Sequence, residues 1–231
     1  MANRAPIAND EWYHCYNRGV DKRTTFEDED DYERFLLLLY ICNDIDSKVH
    51  IADLAPNTRL GKLLLRSNSS TRSSPLVDIA AYSLMPNHVH FVMRQCTDQG
   101  LSRFMQKIFT GYTMYFNQKH ERTGSLFAGT YKSKHLDSDE YFKHAIQYVN
   151  LNPVELFEPD WKIGRGNVTR IATYLEKYPY ASTSDFFGTK RPETALIYDV
   201  KKEYFDRNPT LSCMLLDARE YYRECTKFLE R

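Results

Sequence analysis

Leu84-Met85-Pro86-Asn87-His88-Val89-His90-Phe91-Val92-Met93 is a turn followed by a run in which two histidines stand two places apart. Side chains two apart on a strand share a face. The pattern therefore predicts a strand with His88 and His90 pointing together and Val89, Phe91 and Met93 pointing into a core. Pro86 and Asn87 are turn formers, so the strand is expected to follow a tight hairpin from a partner strand over Val77 to Leu84.

A second stretch gives the pair a possible companion. Tyr141-Phe142-Lys143-His144-Ala145-Ile146-Gln147-Tyr148-Val149-Asn150-Leu151-Asn152 has helical patterning and is stopped by Pro153. Tyr148 and Asn152 are four apart, so in a helix that holds its last turn they project from one face. Asp137 and Glu140 have the spacing of a capping box, which places the helix start there.

Upstream of the histidine strand, Arg66-Ser67-Asn68-Ser69-Ser70-Thr71-Arg72-Ser73-Ser74-Pro75 reads as an exposed polar loop. Further back, Glu27-Asp28-Glu29-Asp30-Asp31 precedes the apolar run Tyr32 to Ile41, a buried helix whose acidic start suits its dipole. A metal-binding acid cluster is the competing reading, and capping is preferred. Glu11-Trp12-Tyr13-His14-Cys15-Tyr16-Asn17-Arg18-Gly19 is expected to be a first strand running into a turn. His14 is a candidate third ligand, but with no partner at ligand spacing it is read as an imidazole packed in the sheet.

Downstream, Leu101, Phe104, Met105, Ile108, Tyr112, Tyr115 and Phe116 recur at helical spacing, so an amphipathic helix is expected to lie on the sheet. From Arg103 to His135 the chain carries Arg103, Lys107, Lys119, Arg122, Lys132 and Lys134 against Glu121 alone. The concentration of cations, with Tyr131 and other aromatic residues among them, suits single-stranded or hairpin nucleic acid. A solvated hairpin is the alternative reading. Beyond Val154 a helix is expected over Val168 to Lys177, and amphipathic segments over Ile197 to Phe205 and Leu211 to Leu229.

Composition bounds the rest. The 231 residues suffice for one core with an extension, and 31 Lys and Arg balance 31 Asp and Glu, so attraction to nucleic acid must come from local patches. Five scattered cysteines without a C-x-x-C pair read as reduced thiols rather than a disulfide frame or zinc site. The N-terminus lacks an apolar signal core and the longest aliphatic run is too short to span a bilayer, so a cytoplasmic protein with no membrane partner is expected.

Two imidazoles on a strand would admit manganese, zinc or magnesium completed by oxygen ligands, one of which Asn152 offers. A phenol has a pKa of about 10. Beside a metal-bound phosphate it becomes a nucleophile toward phosphorus, and the phosphotyrosine ester so formed keeps the cleaved bond available for rejoining. Tyr141, Tyr131 and Tyr115 compete with Tyr148 by chemistry, and packing or base stacking is their preferred role.

Met85-Pro86-Asn87-His88-Val89-His90 together with Tyr148-Val149-Asn150-Leu151-Asn152-Pro153 resembles the HUH single-tyrosine transposases, in particular the REP-associated tyrosine transposases. The resemblance extends to Tyr13-His14 through Arg18-Gly19, the acidic start of the first helix, Gly124 to Lys134, and Tyr178-Pro179-Tyr180 with Ser182. It implies an α+β fold: a ferredoxin-like antiparallel sheet with helices on one face, followed by a C-terminal helical extension. The catalytic domain would cover 1–157, with a polar insertion near 59–76, and the extension 158–231. It implies that His88, His90 and Asn152 hold a divalent metal, Mg2+ or Mn2+, and that Tyr148 attacks DNA to leave a 5′-phosphotyrosine and a free 3′-hydroxyl. Single-stranded or hairpin DNA is the implied partner, bound through Arg103, Lys107, Lys119, Arg122, Tyr131, Lys132 and Lys134. Either a monomer or a homodimer is compatible with it.

Two other readings compete. One is a domesticated binder of hairpin DNA or RNA that does not cut, which would not need His88, His90, Tyr148 and Asn152 all intact. The other is a metal-free histidine hydrolase of nucleotides, which would want a third histidine where Val92 stands.

Overall fold

Strand β1 (Trp12–Arg18) sends alternate residues to opposite sides: Tyr13 and Cys15 enter one apolar core, Trp12 a second. This two-sidedness organises the molecule. The computed structural model describes residues 7–46, 54–55, 58–66, 74–205 and 209–229. Strands β1, β2 (Val77–Met85), β3 (His88–Gln95) and β4 (Lys132–His135) form one antiparallel sheet in the order β2-β3-β1-β4. Helix α1 (Glu29–Ile41) follows β1, α2 (Leu60–Arg66) lies before β2, and α3 (Gly100–Lys119) joins β3 to β4. The path β1-α1-β2-β3-α3-β4 with that strand order is the ferredoxin-like α+β arrangement.

The first core holds α1 and α3 on one face. Phe35, Leu36, Leu38 and Leu39 of α1 meet Phe104, Ile108, Tyr112 and Phe116 of α3 over Val89, Phe91 and Met93 of β3. The acids at the start of α1 cap as expected: Asp28 accepts from the Asp31 amide at 3.2 Å. Asp31, buried, accepts from Glu27 N at 2.8 Å and from Lys119 Nζ at 2.7 Å, so α1 and α3 are tied at their polar ends. Helix α3 starts where the chain passes closest to its neighbour. A Cβ on Gly100 would stand 2.4 Å from the Leu76 carbonyl oxygen. Gly100→Ala is therefore expected to lose about 1–3 kcal/mol, read as a lower urea midpoint at unchanged slope. An unchanged midpoint would show that this junction yields.

On the other face lies α4 (Asp139–Leu151), whose Phe142, Ala145, Ile146 and Val149 pack on Trp12, Ala80, Ala81 and Val92. A bulge in β2 between Ile79 and Ala81 lets Ala80 and Ala81 both join this second core while Ile79 and Tyr82 serve the first. The cap of α4 differs from the expected box: Ser138, not Asp137, accepts from the Tyr141 amide at 3.2 Å. A serine hydroxyl one residue from the helix reaches the N3 amide, which is the geometry of a cap.

The remaining α-helices among the described residues are α5 (Val154–Phe157), α6 (Val168–Lys177), α7 (Thr183–Phe186), α8 (Lys201–Tyr204) and α9 (Leu211–Leu229). Ile171, Leu175, Met214 and Leu215 extend the second core, which thus draws on both sides of residue 157. The chain at 178–198 covers the free edge of β2. Leu84 N donates to Tyr180 O at 2.9 Å, Ser182 N to Tyr82 O at 2.9 Å and Tyr198 N to Ile79 O at 2.8 Å. An edge strand whose backbone groups are so occupied no longer invites a foreign strand. The opposite edge, β4, is short and carries two lysines.

Three differences from the sequence reading stand out. Helix α2 falls in a stretch to which the sequence reading assigned no element: it holds four leucines, but only Leu60 is fully buried and Leu65 is exposed, so they mark no clear apolar face. Strand β4 was hidden in the basic segment, since an edge strand of four residues shows only one alternation. Of the amphipathic segment expected over Ile197 to Phe205, only α8 is helical, and Tyr198 N bonds instead to Ile79 O of β2. The loop at 67–73 lies outside the described residues.

Candidate active site

The hairpin turn that presents His88 is clamped from behind. Pro86 O accepts from Thr25 N at 2.7 Å and from Phe26 N at 3.1 Å, and Asn87 O accepts from Gly19 N at 2.9 Å. His88 and His90 then point toward α4, on the face opposite Val89 and Phe91. Their ring centroids are 5.1 Å apart, and Tyr148 of α4 stands edge-on to His90 at 5.3 Å.

Asn152 completes the cluster although α4 formally ends at Leu151. Its backbone remains right-handed helical (φ −54°, ψ −40°), so it keeps its place one turn beyond Tyr148 despite Pro153. The side chain is 3 % exposed, neighbours both His88 and Tyr148, and its Oδ1 has no hydrogen-bond partner. A buried amide oxygen without a donor is costly unless something else binds it.

His88, His90 and Tyr148 line a cavity of about 780 Å3. Arg18 and Lys132 line it, and so does Lys134, whose Nζ sits 4.5 Å over the Tyr141 ring. Lys162 stands 5.7 Å over the Tyr148 ring and pairs with Glu155. Burial and the Glu155 carboxylate raise the pKa of Tyr148, while the Asn152 amide and Arg18 act in the other direction. The free phenol is therefore protonated at neutral pH.

The imidazoles are neutral. Burial, helped by the adjacent rings of His14 and His88, holds His90 down at about 2. Burial and Lys134 hold His14 at about 4, and burial with Arg18 lowers His88. Each ring thus carries one N–H and one lone pair. His88 Nδ1 lies 2.6 Å from Asn87 Oδ1. An amide oxygen only accepts, so Nδ1 bears the proton and Nε2 the lone pair.

Among the described residues no group of three or more His, Cys, Asp or Glu is placed to hold a metal ion. The donor set is instead two imidazoles and the orphaned oxygen of Asn152. That set fits a divalent cation whose remaining positions are taken by water or phosphate oxygen.

The other residues expected to bind nucleic acid divide. Lys132 and Lys134 reach the cavity. Arg103 and Lys107 are exposed on α3, the helix of the opposite face. Lys119 is engaged by Asp28 and Asp31, and Arg122 by Asn117 Oδ1 at 2.8 Å and the Ser125 carbonyl at 3.0 Å. Tyr131 is buried in the first core at 7 % exposure with its hydroxyl 3.2 Å from Ser102 Oγ, so its ring has no face to offer a base. What the sequence reading missed is the contribution of β1. His14, Tyr16 and Arg18 occupy alternate positions, and the register Tyr16↔His90 sets them beside the histidine pair. Their alternation was visible; that β1 pairs with β3 was not.

Residues 60–152 match the protein family described as "Transposase IS200 like". Both motifs, His88-Val89-His90 and Tyr148 to Asn152, fall within that span. Among solved structures the chain is similar to a REP-associated tyrosine transposase bound to a REP hairpin, at 11 % identity over 84 % of this chain and 90 % of that one, with a TM-score of 0.48. It is more remotely similar to tRNA(His) guanylyltransferase from Saccharomyces cerevisiae, at 12 % identity over 92 % of this chain and 86 % of that one, with a TM-score of 0.30. No curated protein matches the chain.

Proposed function

We propose that the protein is a single-stranded DNA nicking and joining enzyme, a transposase that works through a covalent 5′-phosphotyrosine at Tyr148 and acts beside hairpin or repeat DNA. The observation that carries this reading is the convergence of Tyr148 and the His88 and His90 rings on one cation-lined cavity, with the buried, unpartnered Asn152 oxygen beside His88 and Tyr148. The match of residues 60–152 to IS200-like transposases supports it.

His88, His90 and Asn152 would hold a divalent cation, Mg2+ or Mn2+. The chemistry such a cation supplies is polarisation of the scissile phosphate and stabilisation of charge in the transition state. The protein's own groups do the rest. Arg18, Lys132 and Lys134 offer positive charge to the DNA backbone at the cavity wall. Asn152 and Arg18 oppose the burial that raises the pKa of Tyr148, and the proton the phenol gives up passes to water. The Tyr148 oxygen then bonds to phosphorus while the bond from phosphorus to the 3′ oxygen breaks. That oxygen takes up a proton, leaving a 3′-hydroxyl on one side and a 5′-phosphotyrosine on the other. Attack of a 3′-hydroxyl on the phosphotyrosine reverses the step and rejoins DNA.

The test is incubation of the purified chain with end-labelled single-stranded hairpin DNAs and Mn2+ or Mg2+, followed by a denaturing gel. A labelled protein band that disappears with chelator is expected. Hairpin binding with no such band under either metal, over a broad set of hairpins, would replace this reading with that of a binding protein.

A further inference from the structure

His14 Nε2 lies 3.0 Å from His90 Nδ1, with the two rings stacked at 5.2 Å and inclined by 19°. Two ring nitrogens this close share one proton, so one nitrogen of this contact donates and the other accepts. The choice matters for the reading above, on which this inference rests. If His14 donates, the proton of His90 sits on Nε2 and that nitrogen has no lone pair for a cation. If His90 donates, Nε2 is free to ligate.

His88 shows how such a choice is enforced. Its Nδ1 faces Asn87 Oδ1 at 2.6 Å, and the Asn87 amide is oriented by donation from Nδ2 to Lys22 O at 3.2 Å. The acceptor comes from the adjacent residue in the chain. His90 has no such neighbour, since Val89 and Phe91 point into the first core. Its acceptor comes from the next strand, where the register places His14 opposite Val92 and Tyr16 opposite His90.

We infer that His14 is a positioning residue: it accepts the Nδ1 proton of His90 and so holds that ring in the tautomer whose Nε2 carries a lone pair for a divalent cation. In that arrangement the proton of His14 is on Nδ1 and its Nε2 is already engaged. His14 is then neither a third ligand nor an inert imidazole packed in the sheet. It belongs to the outer shell that fixes ligand orientation and basicity, whose loss typically weakens metal binding about 10–100-fold.

The test compares the full-length wild type with His14→Phe, which keeps a ring of similar size but has no acceptor, and His14→Gln, whose amide oxygen can accept. Mn2+ affinity is read from the paramagnetic resonance of free Mn2+, and the tautomer of His90 from nitrogen-15 spectra of metal-free, histidine-labelled protein. His14→Phe is expected to bind Mn2+ about 10–100-fold more weakly, and His14→Gln to stay close to wild type. In the spectra His90 should carry its proton on Nδ1 in wild type and His14→Gln, and lose that preference in His14→Phe. Wild-type affinity in His14→Phe, or a proton on His90 Nε2 in wild type, would overturn the inference. Should the wild type bind no Mn2+ at all, the cation reading of the site fails, and the spectra alone still decide whether His14 sets the tautomer. If His14→Phe does not fold, the wild-type spectrum and the affinity of His14→Gln decide it.

Discussion

In Tyr148→Phe the yield of covalent protein–DNA adduct is expected to fall by at least about 1,000-fold, because the oxygen proposed as nucleophile is deleted and residual rates of such variants come from binding and electrostatics alone. Affinity for hairpin DNA should be little changed, since the ring and its contacts with His14 and His90 remain. The measurement is the adduct band on a denaturing gel, with mass spectrometry of the digested adduct to locate the modified residue. The structure also narrows the alternatives. Tyr131 is buried in the first core, and the Tyr115 hydroxyl bonds to Asp31 at 3.1 Å on the face away from the cavity. Tyr141 does line the cavity, so Tyr141→Phe is the necessary control and should retain adduct formation. An adduct of normal yield in Tyr148→Phe would remove Tyr148 from the mechanism.

The largest expected effect on stability lies far from that chemistry. Arg191 donates to both oxygens of Asp185, at 3.1 and 3.0 Å from Nε and through Nη2, and also to Tyr82 OH at 2.9 Å and to the carbonyls of Pro179 and Ala181. Asp185 is fully buried and accepts one further bond, from Thr194 Oγ1 at 2.8 Å. Arg191→Ala leaves that carboxylate buried without its counter-charge, which costs about 3–5 kcal/mol. For a chain of this length that is a fall of roughly 6–20 °C in melting temperature. Thermal unfolding of Arg191→Ala beside the double variant Arg191→Met, Asp185→Leu is the informative comparison, because replacing both charges by apolar groups should recover most of the loss. A loss under about 1 kcal/mol in the single variant would mean that water reaches Asp185 and relieves it.

The same guanidinium explains why the C-terminal part is hard to regard as a mere appendage. It joins 179–191 to Tyr82 of β2, beside the backbone bonds that cover that strand's edge. Ser182 Oγ and Thr183 Oγ1 also reach Asn150 of α4, at 2.9 and 2.8 Å, so the helix bearing Tyr148 is braced from this segment. The motif Tyr178-Pro179-Tyr180 with Ser182 was visible in the chain as part of a resemblance, but nothing in its composition says that it would serve as a fifth, irregular partner to the sheet.

Local pattern alone determined the elements that carry the site. Alternation across His88 to Met93 is a property of a few consecutive residues, as are the spacing from Tyr148 to Asn152 and the apolar periodicity of α1, α3 and α6, and each reads directly because its period is set by backbone geometry. What needed the tertiary structure was everything settled by pairing between distant segments. His14 became a neighbour of His90 only through the register of β1 on β3. Lys119 turned from an expected phosphate contact into the partner of Asp28 and Asp31, and Tyr131 from a stacking ring into core. A charge or a ring has the same identity in sequence whether it faces solvent, a carboxylate or a packed interior, and the burial and partners that decide its role exist only once the two faces of the sheet have been covered.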